Sequence, residues 1–313
     1  MIGQVSVIGA GTMGNGIAHV FAQAGYKVVL IDLQEPQLEK ALVTITKNLD
    51  RQLSKGVITE EVRQSALDNI TLATTMNAIT ESQLVIEAAT ENADIKLRIF
   101  KNIDELAPPG CILATNTSSI SITRIAAVTS RPDAVIGMHF MNPVPVMKLV
   151  EVINGYSTSA YVTSTIVDLS RKLGKIPAVV NDYPGFIANR ILMPMINEAI
   201  FSLYENVAGV ESIDTVMKLG MAHPMGPLQL ADFIGLDVCL SIMQVLFEGF
   251  GNPRYAPCPL LVNMVTAGKL GVKSGEGFYS YTAGSKELVV SPRFSETRPG
   301  PVSGKIDPGP PAE

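Results

Sequence analysis

Short apolar runs alternate with helical stripes over the first 180 or so residues. Residues 5–8 form an apolar strand. After the glycine-rich stretch 9–16, Met13, Ile17 and Phe21 fall at four-residue spacing on a helix face that stops near Gly25. Residues 28–31 are unbroken by polar side chains, as a strand buried on both faces of a parallel sheet should be. Leu38, Leu42, Ile45 and Leu49 stripe a long helix ending near Gly56. Strands are predicted at 84–88, 112–114, 134–138, 149–153 and 178–180, with helix faces at 99–106, 122–126 and 162–173. This alternation predicts an open α/β sheet with helices on both faces. It ends at Asn181-Asp182-Tyr183-Pro184-Gly185. Beyond that, 187–203 carries a rich apolar helix face, the next 75 or so residues hold no convincing strand, and 228–247 reads as one helix weakened at Gly235. The pattern predicts domains at 1–185 and, all-helical, at 186–283. The proline-rich stretch 284–313 reads as a disordered tail.

Composition narrows the class. The 313 residues are 47% hydrophobic, enough for sizeable cores, and suit two domains. Lysine plus arginine is 24 against 29 acidic residues, a formal charge of −5, which argues against a nucleic-acid binder with a broad basic face. There is no run of 18 apolar residues, so no membrane span is expected. The start reads as a strand rather than a signal peptide. Cys111, Cys239 and Cys258 are few, distant and odd in number, so neither a disulfide framework nor a C-x-x-C metal site is expected. A reduced, cytoplasmic protein without a metal is the simplest reading.

Gly9-Ala10-Gly11-Thr12-Met13-Gly14 is G-x-G-x-x-G. Alone that pattern is weak. Here it follows the first strand, opens the first helix, and is succeeded by Asp32 at the end of the second strand, the arrangement of a dinucleotide site. Gly9 would make the tight turn, Gly11 would admit a pyrophosphate, and Gly14 would let helix and strand close together. Asp32 would accept hydrogen bonds from ribose hydroxyls and repel a 2′-phosphate, favouring NAD over NADP. The fold class is thus a Rossmann-like doubly wound sheet followed by an all-helical C-terminal domain. A glycine turn without ligand, or FAD, are the competing readings.

His139 directly follows the predicted strand 134–138, at the end that faces a ligand crevice, where an imidazole can exchange a proton. Glu151 lies twelve residues on, inside an apolar strand, and needs a partner there. From pattern alone, His139 could equally be a satisfied core histidine. Glu151 could face outward or pair with Lys148 or Arg171. Asn116-Thr117-Ser118-Ser119 could be a turn or cap. His223 reads as a loop histidine and His19 as packing.

Several segments together resemble the L-3-hydroxyacyl-CoA dehydrogenases, most of all the bacterial 3-hydroxybutyryl-CoA dehydrogenase branch. They are VIGAGTMGNGIAHVFAQAGYKVVLIDL from Val7, NTSS from Asn116, HFMNPVPVMKLVEVI from His139, PGFIANRIL from Pro184, HPMGPLQLADFIGLDVCLSIM from His223 and KSGEGFYSY from Lys273. The resemblance spans about residues 2–283. It implies NAD-dependent, reversible oxidation of (S)-3-hydroxyacyl-CoA, with acetoacetyl-CoA and 3-hydroxybutyryl-CoA as short-chain substrates. It implies that His139 is the base, Glu151 its supporting carboxylate, Ser118 the residue bonded to the substrate oxygen, and Asn189 a substrate holder. It places Glu91, Lys96 and Asn116 with Gly9, Gly11, Thr12, Met13, Gly14 and Asp32 around NAD, puts Asn48 and Lys55 toward CoA, and implies a homodimer through the C-terminal domain. Gln229 and Glu276 depart from the pattern, where a glutamate and a basic residue are expected. The rival readings are a dehydrogenase of a free hydroxy acid on the same fold and a non-catalytic, crystallin-like NAD-binding protein.

Overall fold

The computed structural model describes residues 2–282, 284–285 and 287–295. The chain divides into two compact units, the first closing at Ile187 and the second beginning at Ala188.

The first unit is built on one eight-stranded sheet. Its strands are β1 (Gln4–Ile8), β2 (Lys27–Ile31), β3 (Ile70–Ala73), β4 (Leu84–Glu87), β5 (Ile112–Thr115), β6 (Val135–Phe140), β7 (Leu149–Asn154) and β8 (Ile176–Asn181). They lie in the order β3-β2-β1-β4-β5-β6-β7-β8. The order runs outward from β1 in both directions, so the crevice beyond the end of β1 is the switch point of a doubly wound sheet. Around it are α1 (Thr12–Gln23), α2 (Glu35–Ser54), α3 (Glu60–Asp68), α4 (Ala93–Leu106), α5 (Ile122–Ala126) and α6 (Ala160–Lys172).

The two-residue period of the strands sorts side chains between two layers. Val7, Ile86, Ile136 and Val152 pack with Ile17 of α1, Ile45 of α2 and Ile166 of α6. Ile8, Val85, Leu113 and Val135 pack with Phe100 of α4 and Ile125 of α5. By the same alternation Glu87, Thr115, His139 and Glu151 fall on the α4–α5 side, at the strand ends that border the crevice.

Some boundaries differ from the sequence reading. The sixth strand runs to Phe140, so His139 lies inside it rather than after it. β6 and β7 are antiparallel, whereas the other pairs of this sheet are parallel. Residues 141–148 are too few for a parallel crossover, which takes about a dozen residues, and this forces a hairpin. α3 and β3 were not expected. α3 buries only Ala66, and β3 is a four-residue edge strand without a fully buried position, so neither has a readable apolar period.

The second unit contains α7 (Ala188–Tyr204), α8 (Val210–Thr215), α9 (Pro227–Ile234), α10 (Leu236–Phe250) and α11 (Pro259–Thr266) around a core that includes Met193, Ile200, Leu228, Met243 and Leu261. The single helix expected over 228–247 is two. Gly235 adopts φ 101°, which ends α9, and α10 starts afresh at a 98° bend. The region is also not wholly helical, because β9 (Tyr279–Ser280) pairs with β10 (Val289–Val290). The disordered tail therefore does not begin at 284. β10 and α12 (Pro292–Ser295) are ordered because Val290 and Phe294 pack on the core, with the Phe294 ring 5.8 Å from that of Phe278. The unexpected Glu276 serves this extension, accepting a hydrogen bond from Ser291 Oγ at 2.8 Å and pairing with Lys269. The expected tail from 296 onward lies outside the described residues. Among the described residues no single helix is long and apolar enough to cross a membrane.

Candidate active site

The glycine turn is set by its backbone. Gly9 adopts φ 97°, and a Cβ there would come 2.6 Å from Ala89 Cα at the end of β4. A Cβ on Gly14 would sit 1.7 Å from the Gly9 carbonyl oxygen, so only glycine lets α1 start this close to β1. At Gly11 a Cβ would meet nothing within 4 Å, and the backbone faces open space. Gly11 is also the N-cap of α1 and offers no side-chain cap. The first amides of α1, from Thr12 and Met13 on, thus present a positive helix end that its own N-cap residue leaves uncovered. Asp32 follows β2. Its Oδ2 accepts the Ala10 N–H at 2.9 Å and its Oδ1 the Gln34 N–H at 3.1 Å. Each oxygen retains a lone pair for a ribose hydroxyl. Open glycine backbone, uncapped helix end and neighbouring carboxylate fit a dinucleotide.

Beyond the turn, the ends of β4 and β5 carry a buried polar network. Glu87 is fully buried. Its Oε1 accepts the Ala89 N–H at 2.9 Å, and its Oε2 accepts from Thr115 Oγ1 at 3.0 Å and from Lys96 Nζ. Lys96 is itself buried, so its ammonium is committed first to Glu87 and stands 3.9 Å from Glu91 Oε2. Glu91 Oε1 is the hub of the Asn116–Ser119 loop, accepting from Thr117 Oγ1 at 2.7 Å, Ser118 N at 2.7 Å and Ser118 Oγ at 2.9 Å. Asn116 Oδ1 accepts the Phe140 N–H at 2.9 Å and ties this loop to the strand bearing His139. Sequence reasoning missed Glu87. The signal was available, since a carboxylate closing the apolar run Leu84-Val85-Ile86 needs a partner just as Glu151 does.

His139 and Glu151 are directly opposed residues of the β6–β7 hairpin. His139 Nδ1 lies 2.8 Å from Glu151 Oε2, with side-chain exposures of 12% and 2%. An ionised carboxylate only accepts, so Nδ1 carries the hydrogen and Nε2 presents a lone pair. Glu151 Oε1 takes the Ile187 N–H at 3.3 Å. That amide is placed by the turn at Tyr183-Pro184-Gly185-Phe186, where Gly185 and Phe186 adopt positive φ and the Phe186 ring lies 6.2 Å from the imidazole. A base whose second nitrogen is locked by a buried carboxylate can take a proton and hold the resulting charge.

The first unit also contains a cavity of about 370 Å³ beside the glycine turn. Asn48 lines it, one helical stripe with Lys40 and Thr44, facing Asn142 and Pro143. Lys55 does not join them; it caps the C-terminus of α2 and is exposed. Asn189 lies in the first turn of α7, in the second unit, and is buried.

Two family models match the chain. The 3-hydroxyacyl-CoA dehydrogenase NAD-binding domain covers residues 4–183 and the 3-hydroxyacyl-CoA dehydrogenase C-terminal domain covers residues 185–281. The chain is 55% identical over 281 residues to a 3-hydroxybutyryl-CoA dehydrogenase of Bradyrhizobium diazoefficiens, across 90% of this chain and 96% of that one. It is 54% identical to a probable 3-hydroxybutyryl-CoA dehydrogenase of Bacillus subtilis, across 90% and 98%. The crystal structure of (S)-3-hydroxybutyryl-CoA dehydrogenase from Ralstonia eutropha superposes with a TM-score of 0.88 at 50% identity, covering 90% of this chain and all of that one.

Proposed function

The chain belongs to the 3-hydroxyacyl-CoA dehydrogenase family, and from that premise we propose that it oxidises (S)-3-hydroxyacyl-CoA, 3-hydroxybutyryl-CoA in particular, reversibly and with NAD. The observation that carries the reading is the buried His139–Glu151 pair on the rim of a doubly wound sheet whose first turn is built for a dinucleotide. NAD, when bound, supplies the acceptor for the hydride leaving C3 of the substrate.

The chain's own residues do the rest. Nε2 of His139 accepts the proton of the 3-hydroxyl. Glu151 holds Nδ1–H, keeps the ring in the reactive tautomer and offsets the charge that develops on it. Ser118, its loop gathered by Glu91, holds the substrate oxygen so that the proton and the carbon-bound hydrogen leave from one fixed geometry. Asn189 assists in holding the substrate. Gly9 to Gly14 and Asp32, with Glu91, Lys96 and Asn116, form the cofactor side. Asn48, in the cavity beside the turn, takes part of the CoA moiety, with Lys55 farther along α2.

The domain division follows as 1–185 for cofactor and 186–283 for substrate and self-association. Among the described residues of the second unit, six large apolar ones are more than half exposed, namely Ile191, Val207, Val216, Leu219, Met221 and Phe233. This supports a homodimer through that unit. We infer a cytoplasmic location from the likeness to the dehydrogenases of Bradyrhizobium diazoefficiens and Bacillus subtilis.

The test is NADH oxidation across 3-oxoacyl-CoA substrates from four to sixteen carbons, with free acetoacetate beside acetoacetyl-CoA. Turnover highest on acetoacetyl-CoA and negligible on the free acid supports the reading. Equal rates on both would make the enzyme a hydroxy-acid dehydrogenase, and inactivity throughout would restore the non-catalytic reading.

A further inference from the structure

The chain between His139 and Glu151 is held in place by a lysine that the reaction does not use. Lys175 stands at the junction of α6 and β8 and is 7% exposed. Its Nζ donates to the carbonyl oxygens of Val144 and Met147, the latter at 2.8 Å, both in the 141–148 loop of the β6–β7 hairpin. Among the described residues no carboxylate lies within ion-pair distance of it. Burying an ammonium is costly unless its donors are used, and a methionine would fill the same volume without that cost. The two carbonyl bonds are therefore what this lysine supplies.

The loop is gripped from the other side as well. Val144 is buried against Gly16 of α1, where a Cβ would come 2.8 Å from Val144 Cβ. At its end the Ile176 N–H, next to Lys175, donates to the Lys148 carbonyl at 2.8 Å, and β7 then begins with Leu149 opposite Ile176. The hairpin closes with Phe140 opposite Val150, and the next pair is His139 opposite Glu151. The loop's anchorage thus bears on the register and angle at which the catalytic pair meets, because a strand that slips carries every side chain with it.

We propose that Lys175 is a positioning residue for the reaction, clasping the 141–148 loop so that Glu151 stays in line with His139 Nδ1. This rests on the reading of His139 and Glu151 as the catalytic pair. The titratable group that feels Lys175 is His19 of α1, whose pKa is lowered mainly by its own burial. The group facing His139 is Glu151.

The experiment compares K175M and E151Q with the parent enzyme, measuring NAD affinity, kcat per folded site, and the pH profile of kcat/KM in the oxidising direction. For K175M the expected result is kcat about ten- to a hundred-fold lower, the scale of a small misplacement of reacting groups. NAD affinity should stay within a few-fold. The acidic limb should move to lower pH, since an imidazolium less well held by its carboxylate gives up its proton sooner. A K175M enzyme that loses only melting temperature, with the limb and kcat per folded site unchanged, overturns the proposal. If K175M does not fold, K175Q leaves a shorter, neutral donor under the same loop. It should displace the limb likewise, and an unmoved limb overturns the proposal. The control separates the two claims. If E151Q is impaired while K175M is not, only the assignment of Lys175 fails; if E151Q is itself unimpaired, the pair and the proposal fall together.

Discussion

At the residue scale, the site uses carboxylates to hold donors in place. Asp32 braces the glycine turn through Ala10 while keeping capacity for a ribose, so its loss acts twice. Asp32→Ala should weaken NAD binding about ten-fold or more, as expected for removing hydrogen bonds to a charged group, and should improve NADP relative to NAD. Dissociation constants for both cofactors check this, and an unchanged ratio would contradict the ribose role. Glu87 has the opposite character, being buried and spent entirely on protein. Glu87→Gln leaves the buried Lys96 ammonium with only the more distant Glu91 carboxylate as a charge partner, so it should destabilise the first unit by about 2–3 kcal/mol, below the full cost of breaking a buried pair. Chemical denaturation reads that loss directly. A change below about 1 kcal/mol would show that the pair is effectively solvated.

At the scale of elements, α1 is both the helix proposed to face the cofactor and a packing surface, and its small residues are fixed by contact. Gly14→Ala drives a methyl into the Gly9 carbonyl and should abolish NAD binding, measurable by calorimetry even where the variant remains folded. His19, on the buried face of α1, has Nε2 2.9 Å from Gln23 Oε1 and 3.1 Å from Gln52 Nε2, partners of opposite sense of which a given tautomer bonds one. Burial lowers its pKa below 6.5. The unfolded chain therefore binds this proton more readily than the folded one. The resulting stability is present above pH 6.5 and is lost as the pH falls through the lowered folded value. The fall in melting temperature from pH 7.5 to 5 should be larger for the parent protein than for His19→Gln, and equal falls would contradict a buried neutral ring.

At the scale of the whole molecule, the sequence made the sheet-then-helices order legible because buried parallel strands read as unbroken apolar runs and α1 follows a glycine motif that needs them. The catalytic candidates were legible for a related reason, since an ionisable residue in an apolar strand stands out. Glu151 was found that way, His139 by its place directly after a predicted strand at the end facing the crevice, and Glu87 could have been. Lys175 carried no such signal; a lysine after a glycine at a helix end reads as a solvated turn, and only its burial reveals the clasp. The antiparallel β6–β7 pair was readable in principle from the eight residues between the strands, fewer than a parallel return requires. What lay beyond pattern was the extension past 284, where short apolar pairs such as Val289-Val290 gain order only from a core already formed by distant residues. Phe294→Ala should accordingly cost about 2 kcal/mol, or roughly 5 °C of melting temperature, and calorimetry would show whether the extension is integral to the second unit.

The proposed chemistry turns on the imidazole of His139 as proton acceptor. The most direct measurement is turnover of 3-hydroxybutyryl-CoA by His139→Ala alongside its NAD affinity. The expected result is a loss of about 10²–10⁴ in kcat, the range for removing a general base, with NAD binding within a few-fold of the parent. Loss of both in equal measure, or turnover that survives the substitution, would contradict the account.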